Sequence, residues 1–357
     1  MKVAFLISDS SLERGGERAT ITLANSFAAG NYEVNLLSLY QKNKPGFFEV
    51  DKRIQVHIAI KGSQSKSKWL FQKLKEMIFV FGQLRRIDID VFIGVGTYCS
   101  VLLGFFKWLN SKKKYVAWEH SNYFAVSPAW DRLRKVYYQK LNAIVCLNQT
   151  DLKIYLQEFK NVYQIPNMIG FKTEDKATRE RKIILSIGAL EEEKGFDLLI
   201  RAFHTVKHLD DWNLLIVGAG SKKTELLRLA AQLEMRDRVI IKDNTKAIIR
   251  EYLNASIYVL PSRREGFGMV LIEAMECGLP CIAFDCPTGP ANIITHYQNG
   301  LLVPALDYRA LGQMMALLVS EGDLARKLSN AGLTTVEQYS ESKVLSFWKI
   351  LLNDLYQ

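Results

Sequence analysis

The stretch that decides the fold is IYVLPSRREGFGMVLIEAMECGLPCIAFDCPTGP, which runs from Ile257 to Pro290. An apolar run ends at Pro261, a charged loop with two glycines follows, and a largely apolar helix is predicted from near Gly268. A second apolar strand, Cys281 to Phe284, comes directly after the helix. This order of strand, loop, helix and strand predicts a parallel α/β sheet, which binds ligands at the carboxyl ends of its strands.

The loop and the start of the helix carry groups that suit a phosphorylated ligand. The amide N–H groups and the positive dipole end at Gly268, Met269 and Val270 attract anions. Arg263 and Arg264 stand just before them in the chain. The sequence therefore predicts an anion site at this helix start.

Two acids, Glu265 in the loop and Glu273 inside the helix, are placed to bracket one ligand. A carboxylate within an apolar helix needs hydrogen-bond donors, which sugar or ribose hydroxyls supply. The alternative is that Glu265 pairs with Arg263 or Arg264 at the surface and that Glu273 is a satisfied core acid. Spacing alone leaves the two interpretations open.

The segment Glu265-Gly-Phe-Gly-Met-Val-Leu-Ile-Glu273 resembles the E-x7-E motif of family 4, the retaining glycosyltransferases that use nucleotide sugars. Ala274-Met275 and Gly278-Leu279-Pro280 extend the likeness. The resemblance implies an α/β protein of the GT-B type, with two Rossmann-like domains and a cleft between them. It also implies that Glu273 holds ribose hydroxyls, that Glu265 holds the transferred sugar and that Phe267 belongs to the donor loop.

A second resemblance concerns Gly188-Ala-Leu-Glu-Glu-Glu-Lys194-Gly195, which is similar to the G-R-L-x-x-x-K-G phosphate loop of the same family. It implies that Gly188 and Lys194 bind the donor diphosphate. The arginine position is Ala189, which removes one charge-assisted contact of about 1.5–3 kcal/mol. Arg263, Arg264 and Arg18 remain open as replacements. Two looser assignments concern the donor as well: Asn244 falls where the family contacts the nucleobase, and Asn292 stands where Glu is common.

The first half predicts alternating strands and helices and two further candidate regions. The loop from Ser10 to Arg18 resembles the family's G-G-x-E-R entry loop, one residue short, and implies that Gly15 and Gly16 line the cleft. His120 follows the predicted strand Tyr115–Trp118 and resembles the family's active-site histidine, near the donor sugar and the acceptor. A structural histidine is the alternative.

Length and composition favour a two-domain cytoplasmic enzyme. A chain of 357 residues exceeds the ~250–300 at which single cores usually divide. We predict a first domain over 1–171, a linker over 172–182, a second domain over 183–340 and a helix over 341–357 that returns to the first. The amino terminus predicts a buried strand rather than a signal peptide, and no apolar run reaches the ~18 residues of a membrane span. Five scattered cysteines are typical of reduced thiols rather than of a metal site.

Basic charge is concentrated in the first half. Residues 1–170 hold 24 Lys and Arg against 13 Asp and Glu, whereas residues 171–357 hold 23 against 24. A helix predicted over 66–86 has apolar residues at 70, 74, 77, 78, 81 and 84 and six basic residues. Together with Phe105–Trp108, Lys112–Lys114 and Arg132–Lys135 it predicts a basic, aromatic face for an anionic membrane surface. The alternative is a crossover helix with one packed face. Asp88-Ile-Asp90 matches a D-x-D metal motif but is interpreted as a turn before a strand.

These observations predict a retaining hexosyl- or N-acetylhexosaminyltransferase that uses a UDP-linked sugar without a metal cofactor. The expected acceptor is a lipid-linked saccharide, since the Cys286–Pro290 segment resembles bacterial surface-polysaccharide enzymes; nucleic acid is not expected as a partner. The expected location is peripheral, on the inner face of the plasma membrane. The alternatives are a sugar-nucleotide epimerase of the same fold and a non-catalytic sugar-nucleotide-binding protein. An NAD-dependent oxidoreductase is disfavoured because neither predicted first strand leads into G-x-G-x-x-G.

Overall fold

The structure is a computed structural model, which describes residues 1–12, 14–42, 46–62 and 69–357. The chain has two compact units. The first comprises Met1–Gly170 and Glu341–Gln357, and the second comprises Phe171–Ser340. Each unit has its own parallel sheet.

The first unit is built on a seven-stranded sheet in the order β3-β2-β1-β4-β5-β6-β7, all parallel. Its strands are β1 (Lys2–Asp9), β2 (Glu33–Gln41), β3 (Gln55–Lys61), β4 (Val91–Val95), β5 (Lys114–Trp118), β6 (Ala143–Cys146) and β7 (Val162–Gln164). Its helices are α1 (Gly15–Ala29), α2 (Trp69–Arg86), α3 (Gly96–Phe106), α4 (Pro128–Tyr138), α5 (Gln149–Tyr155) and α12 (Glu341–Asp354).

The central strands are continuous apolar runs because helices cover both faces of a parallel sheet. Val3 to Ile7 in β1 are at most 2% exposed. The edge strand β3 is different, since its sequence QVHIAIK mixes polar and apolar residues and none of them is fully buried. The sequence analysis does not predict this strand, because it lacks a buried apolar run.

Helix α2 buries only part of the apolar stripe predicted for it. Val80 and Leu84 are buried, and so is Glu76, which accepts hydrogen bonds from Lys73 and from the Tyr98 hydroxyl. The apolar Leu70, Phe71, Leu74 and Ile78 are exposed, together with the basic Lys75, Arg85 and Arg86. Residues 66–68 of the predicted helix lie outside the described residues. The helix therefore packs through one face and presents a second apolar face to solvent.

Two of the predicted basic residues also turn inward. The Arg134 side chain is 1% exposed, and its guanidinium bonds the carbonyl of Tyr123 and the carboxylate of Asp131. The ammonium group of Lys113 lies 2.6 Å from the carbonyl of Ile87, at the end of α2. The exposed basic charge of this region is thus smaller than the sequence predicted.

The second unit is built on a six-stranded parallel sheet in the order β10-β9-β8-β11-β12-β13. Its strands are β8 (Ile183–Ile187), β9 (Asn213–Val217), β10 (Val239–Lys242), β11 (Ile257–Leu260), β12 (Cys281–Asp285) and β13 (Leu301–Pro304). Its helices are α6 (Phe196–Thr205), α7 (Lys223–Gln232), α8 (Ile248–Leu253), α9 (Met269–Glu276), α10 (Tyr308–Ser320) and α11 (Gly322–Val336). The strand order reverses between β8 and β11, and such a switch point is where open α/β sheets bind ligands.

The chain passes from the first unit to the second after Gly170 and returns to the first unit after Ser340. The segment predicted as a linker, 172–182, lies on the second unit, where the amide of Ala177 donates to the carbonyl of Cys277 at 2.8 Å. Helix α12 belongs to the first unit, where Trp348 is fully buried against Trp118 and Phe27.

Asp88 and Asp90 both bind Lys2, the former through the side-chain ammonium and the latter through the backbone amide, beside the amino end of β4. Within the described ranges no helix combines the length and apolarity needed to cross a bilayer.

Candidate active site

The switch point of the second unit is assembled from loops whose backbones touch. A Cβ atom on Gly218 would stand 1.9 Å from the carbonyl oxygen of Gly188, and one on Gly195 would stand 2.0 Å from that of Pro261. Gly195 also has a φ of 66°, which suits glycine. The glycine at position 218 is therefore required by a close packing contact. The loops after β8, β9 and β11 form one closely fitted rim.

Lys194 and Glu265 meet on this rim. The Lys194 ammonium lies 2.6 Å from Glu265 Oε2, and the Ser262 hydroxyl donates to the same oxygen at 3.1 Å. The loop that carries Glu265 is held by backbone bonds to Pro287 and Thr288. The alternative in which Glu265 pairs with Arg263 or Arg264 is wrong, because its carboxylate bonds Lys194 and Ser262.

Helix α9 begins next to this pair with its first amides pointing to the carboxyl edge of the sheet. Gly268 precedes it with a φ of 101° and provides no side-chain cap, so the first N–H groups, at Met269 and Val270, have no intrahelical acceptor. Glu273, one turn further on, is fully buried and accepts a hydrogen bond from the Tyr252 hydroxyl at 2.9 Å. The predicted anion site and the predicted buried acid thus lie on one short helix.

Phe267 contributes differently from the prediction. Its ring is 4% exposed and packs edge-on against Tyr339, with ring centroids 5.5 Å apart. The side chain belongs to the core of the second unit, so its place in the donor loop is structural.

Arg263 is also placed differently from the prediction. Its guanidinium makes two parallel hydrogen bonds of 2.7 Å to the carboxylate of Asp197 and a third, of 2.9 Å, to the carbonyl of Glu192. Burial alone would raise the pKa of Asp197, but the bonds from Arg263 outweigh it and hold that pKa below its usual value. Arg263 is thus occupied by protein partners, whereas Arg264 is exposed.

The remaining residues predicted to bind the donor lie at different distances from Lys194. Gly188 lies beside Lys194, since a Cβ atom there would be 3.7 Å from the lysine side chain. Ala189, in the place of the expected arginine, is exposed. Asn244 is exposed and follows β10, two strands away from β8 in the sheet. Arg18, the third suggested replacement cation, belongs to the first unit and lies beside Gly170.

In the first unit, His120 follows β5 and lies against the start of α1. A Cβ atom on Gly16 would stand 3.7 Å from the His120 side chain, and the ring of Trp118 lies 4.3 Å from the imidazole. Gly15 is exposed. Both His120 ring nitrogens are buried and have no hydrogen-bond partner among the described residues, and burial lowers the pKa of His120 to about 3. The imidazole is therefore neutral near pH 7.

This neutral histidine gives a testable pH dependence. An unfolded histidine has a pKa of ~6.5, so below that pH the unfolded chain binds a proton that the folded protein excludes. The contribution to stability is present above about pH 6.5 and is lost as pH falls. We expect about 2 kcal/mol of the wild-type free energy of unfolding to disappear between pH 7 and pH 5 through this group. Replacement by Phe, which keeps an aromatic ring beside Trp118, should remove that part of the slope in urea titrations. An unchanged slope would contradict a buried neutral imidazole.

The sequence analysis missed a buried polar network next to His120. Glu119 is 3% exposed and accepts hydrogen bonds from the hydroxyls of Tyr138 and Thr97. Burial raises the pKa of its carboxyl group, against the opposing effect of Tyr138, Arg134 and Thr97. Thr97 follows β4 and Glu119 follows β5, so the adjacency of two strand ends was the available signal.

Three partners in the second unit were missed as well: Asp197 for Arg263, Ser262 for Glu265 and Tyr252 for Glu273. Asp197 alone had a sequence signal, since it is an acid in the first turn of a predicted helix. Among the described residues no group of three His, Cys, Asp or Glu side chains is arranged to hold a metal ion.

Two units, each with its own parallel α/β sheet, are the architecture of the GT-B class, and solved glycosyltransferase structures share this fold. The sequence pattern described as "Glycosyl transferases group 1" matches residues 171–334. An uncharacterized glycosyltransferase of Haemophilus influenzae is 31% identical over 98% of this chain and 99% of its own length. The chain therefore belongs to the glycosyltransferases, with a group 1 domain in its second unit, and it is an enzyme that transfers glycosyl groups.

Two further relatives and one solved structure are similar over nearly the whole chain. The amylovoran biosynthesis glycosyltransferase AmsD of Erwinia amylovora is 29% identical, with 99% of each chain covered. A Campylobacter jejuni α-1,4-N-acetyl-D-galactosaminyltransferase, whose named substrate is a diphosphoundecaprenol-linked saccharide, is 26% identical, also over 99% of each chain. The crystal structure of Anabaena HepE in complex with UDP has a TM-score of 0.82 at 16% identity and covers 99% of this chain and 100% of that one.

Proposed function

We propose that this glycosyltransferase moves a hexose or N-acetylhexosamine, with retention of anomeric configuration, from a UDP-linked sugar to a lipid-linked saccharide in surface-polysaccharide synthesis. The observation that carries the proposal is the Lys194–Glu265 pair, 2.6 Å apart, beside the uncapped start of α9. It brings a cation, backbone donors and a hydroxyl-binding acid to one place. This is what a sugar attached to a diphosphate requires.

The chemistry depends on the charge of the leaving group. As the anomeric C–O bond breaks, its electron pair passes to the diphosphate, while the acceptor oxygen forms a new bond on the same face of the sugar and gives its proton to the departing phosphate oxygen. Lys194 and the α9 amides stabilise the negative charge that develops there. Because the protein itself supplies this cation and these N–H donors, the proposal includes turnover without a metal ion.

The acids take separate roles in this proposal, which also assigns the chain to family 4 and its E-x7-E motif. Glu273 lies inside α9 and holds the ribose hydroxyls, so it acts on the nucleotide. Glu265, on the loop, holds hydroxyls of the transferred sugar. His120, which is neutral and whose two buried ring nitrogens have no hydrogen-bond partner among the described residues, serves the 6-hydroxyl of that sugar or the acceptor. The UDP preference is supported by the similarity to HepE, which binds UDP.

The lipid-linked acceptor is supported by a surface of the first unit. Leu70, Phe71, Leu74 and Ile78 on α2 are 53–75% exposed, and Trp108, after α3, is 72% exposed. Helix α3 packs against α2 and helix α4 packs against α3, and exposed Arg132 on α4 and exposed Lys140 just after it add basic charge. We call this apolar and basic region the α2 surface. Such a surface suits the interface of an anionic membrane, and the Campylobacter relative named above acts on an undecaprenol-linked substrate.

The direct test of the function is a panel of UDP- and GDP-sugars with a diphosphoundecaprenol-linked saccharide acceptor and excess EDTA. We expect UDP to be the nucleoside diphosphate released, and the new linkage to keep the anomeric configuration of the donor. Loss of turnover in EDTA would refute the metal-independent part. Interconversion of UDP-sugars without acceptor would indicate an epimerase, and UDP binding with neither transfer nor hydrolysis would indicate a binding protein.

The α2 surface gives a second prediction. Replacing Leu74 and Ile78 with Glu should weaken binding to vesicles of anionic phospholipid by about tenfold or more per side chain, because each loses its apolar burial. Leu227→Glu, an exposed leucine on α7 of the second unit, is the matched control and should leave vesicle binding unchanged. Binding should weaken as salt rises. Wild-type protein that fails to sediment with such vesicles at low salt would refute the membrane role.

A further inference from the structure

The two members of the central pair come from different loops, so something must fix their separation. Lys194 ends a short 3-10 turn over Glu192–Lys194, whereas Glu265 lies in the loop after β11. Besides the contact of Gly195 with Pro261, these two loops are joined by two hydrogen bonds of Arg263. Its backbone amide donates to the carbonyl of Glu193 at 2.7 Å, and its guanidinium donates to the carbonyl of Glu192 at 2.9 Å.

The same guanidinium is anchored to a helix. Two bonds of 2.7 Å join it to Asp197, in the first turn of α6, immediately beyond the Lys194 turn. A planar guanidinium and a carboxylate match in this geometry, which an ammonium group cannot reproduce. The bonds to Asp197 raise the pKa of Arg263, so the guanidinium keeps its positive charge.

We propose that Arg263 is a positioning residue: with Asp197 it clamps the Lys194 turn to the Glu265 loop and sets the distance between these two side chains, and it does not bind the donor itself. The proposal rests on the proposed function only for the roles of Lys194 and Glu265. It also means that Arg263 does not replace the phosphate-binding arginine that is missing at Ala189. On this part of the rim, Lys194 and the α9 amides are left to stabilise the charge of the diphosphate.

The variant Asp197→Asn distinguishes two roles for Arg263, a clamp between loops and a residue that binds the donor. If Arg263 bound the diphosphate, losing its acidic partner would leave UDP affinity unchanged or increase it. If Arg263 is a clamp, Asp197→Asn and Arg263→Lys should both weaken UDP binding by about tenfold and lower kcat by about 10- to 100-fold, because Lys194 moves away from its working position. The double variant should be no worse than either single variant, since both remove the same contact.

Arg238→Lys is the control for a merely structural arginine. Arg238 bonds the backbone carbonyls of Lys207, Leu209 and Trp212 in the same unit, away from the switch point. Its replacement should lower the melting temperature but change neither UDP affinity nor kcat. Variants of Arg263 and Asp197 that behave in the same way would refute the positioning role.

Chemical rescue of kcat by added guanidinium ion is a further test, because a purely structural role of Arg263 in stability would not produce it. Guanidinium ion at low, non-denaturing concentration should restore part of the kcat of Arg263→Ala, and it should fail to do so when Asp197→Asn is also present, because the ion then has no carboxylate to bind. Rescue that survives the loss of Asp197 would place the guanidinium on the substrate and overturn the proposal.

Amide hydrogen exchange tests the clamp without any turnover. The amides of Lys194 and Arg263 donate to the carbonyls of Glu191 and Glu193, and both should exchange faster in Asp197→Asn than in wild-type protein. If the wild type transfers no sugar, the proposed function fails while this comparison still tests the clamp. Unchanged exchange together with unchanged UDP affinity would end the proposal.

Discussion

Lys194→Met should lower kcat/KM by about 10²- to 10³-fold, the largest effect that we expect from a single substitution. The ammonium group is the cation closest to the acid of the rim, 2.6 Å from Glu265, and it lies beside the amide end of α9. One preorganised donor at a site of developing charge contributes about 2.7–4 kcal/mol to the transition state. Steady-state kinetics with the best UDP-sugar would measure this loss.

Two companions define what the Lys194 result means. Lys223→Met removes a lysine of the same unit that pairs with exposed Asp243, and it should retain wild-type kinetics. Glu265→Ala should also cut turnover, but with a smaller loss of UDP affinity, because in the proposed function Glu265 holds the transferred sugar and not the nucleotide. Normal turnover of Lys194→Met would show that Lys194 does not stabilise the leaving diphosphate.

Glu273→Ala should weaken UDP binding by about 10- to 100-fold, the second largest expected effect. A hydrogen bond to a charged group contributes about 1.5–3 kcal/mol, and the ribose offers two hydroxyls. Glu276→Ala is the matched control, since Glu276 lies on the same helix, is 6% exposed and bonds Lys176 and Thr173. It should reduce stability without changing the UDP dissociation constant from calorimetry. Equal losses of UDP affinity in Glu265→Ala and Glu273→Ala would contradict the separate roles.

The central strands and the main helices could be predicted because they have one dominant physical cause. Apolar runs such as Val3–Ile7 and Ile183–Ile187 have to be buried on both faces of a sheet, and the amphipathic face of Phe196–Thr205 has to pack. The edge strand Gln55–Lys61 and the short strand Leu301–Pro304 lack such a signal. Gln55–Lys61 mixes polar and apolar residues, and Leu301–Pro304 has only four residues.

The sequence predicts a site residue when local secondary structure fixes its position. It does not predict one whose position depends on which side chain it pairs with in the folded protein. Glu273 and the α9 amides follow from one strand-loop-helix segment. Arg263 had several possible partners within a few residues, and only the folded loops select Asp197. The apolar residues of α2 divide between a buried and an exposed face for a related reason, since Glu76 is buried against Lys73 and Tyr98 while Leu74 and Ile78 face solvent. Composition cannot show which of two apolar faces is the covered one.

The close backbone contacts of Gly188, Gly195 and Gly218 restrict how this enzyme can change its donor through evolution or design. Any side chain at Gly195 or Gly218 would collide with a carbonyl oxygen, so those loops cannot be exchanged one at a time. Mutagenic libraries are better concentrated on positions away from these backbone contacts, such as exposed Lys246 after the edge strand β10. Grafting between homologues should transplant the three joined loops as a single cassette.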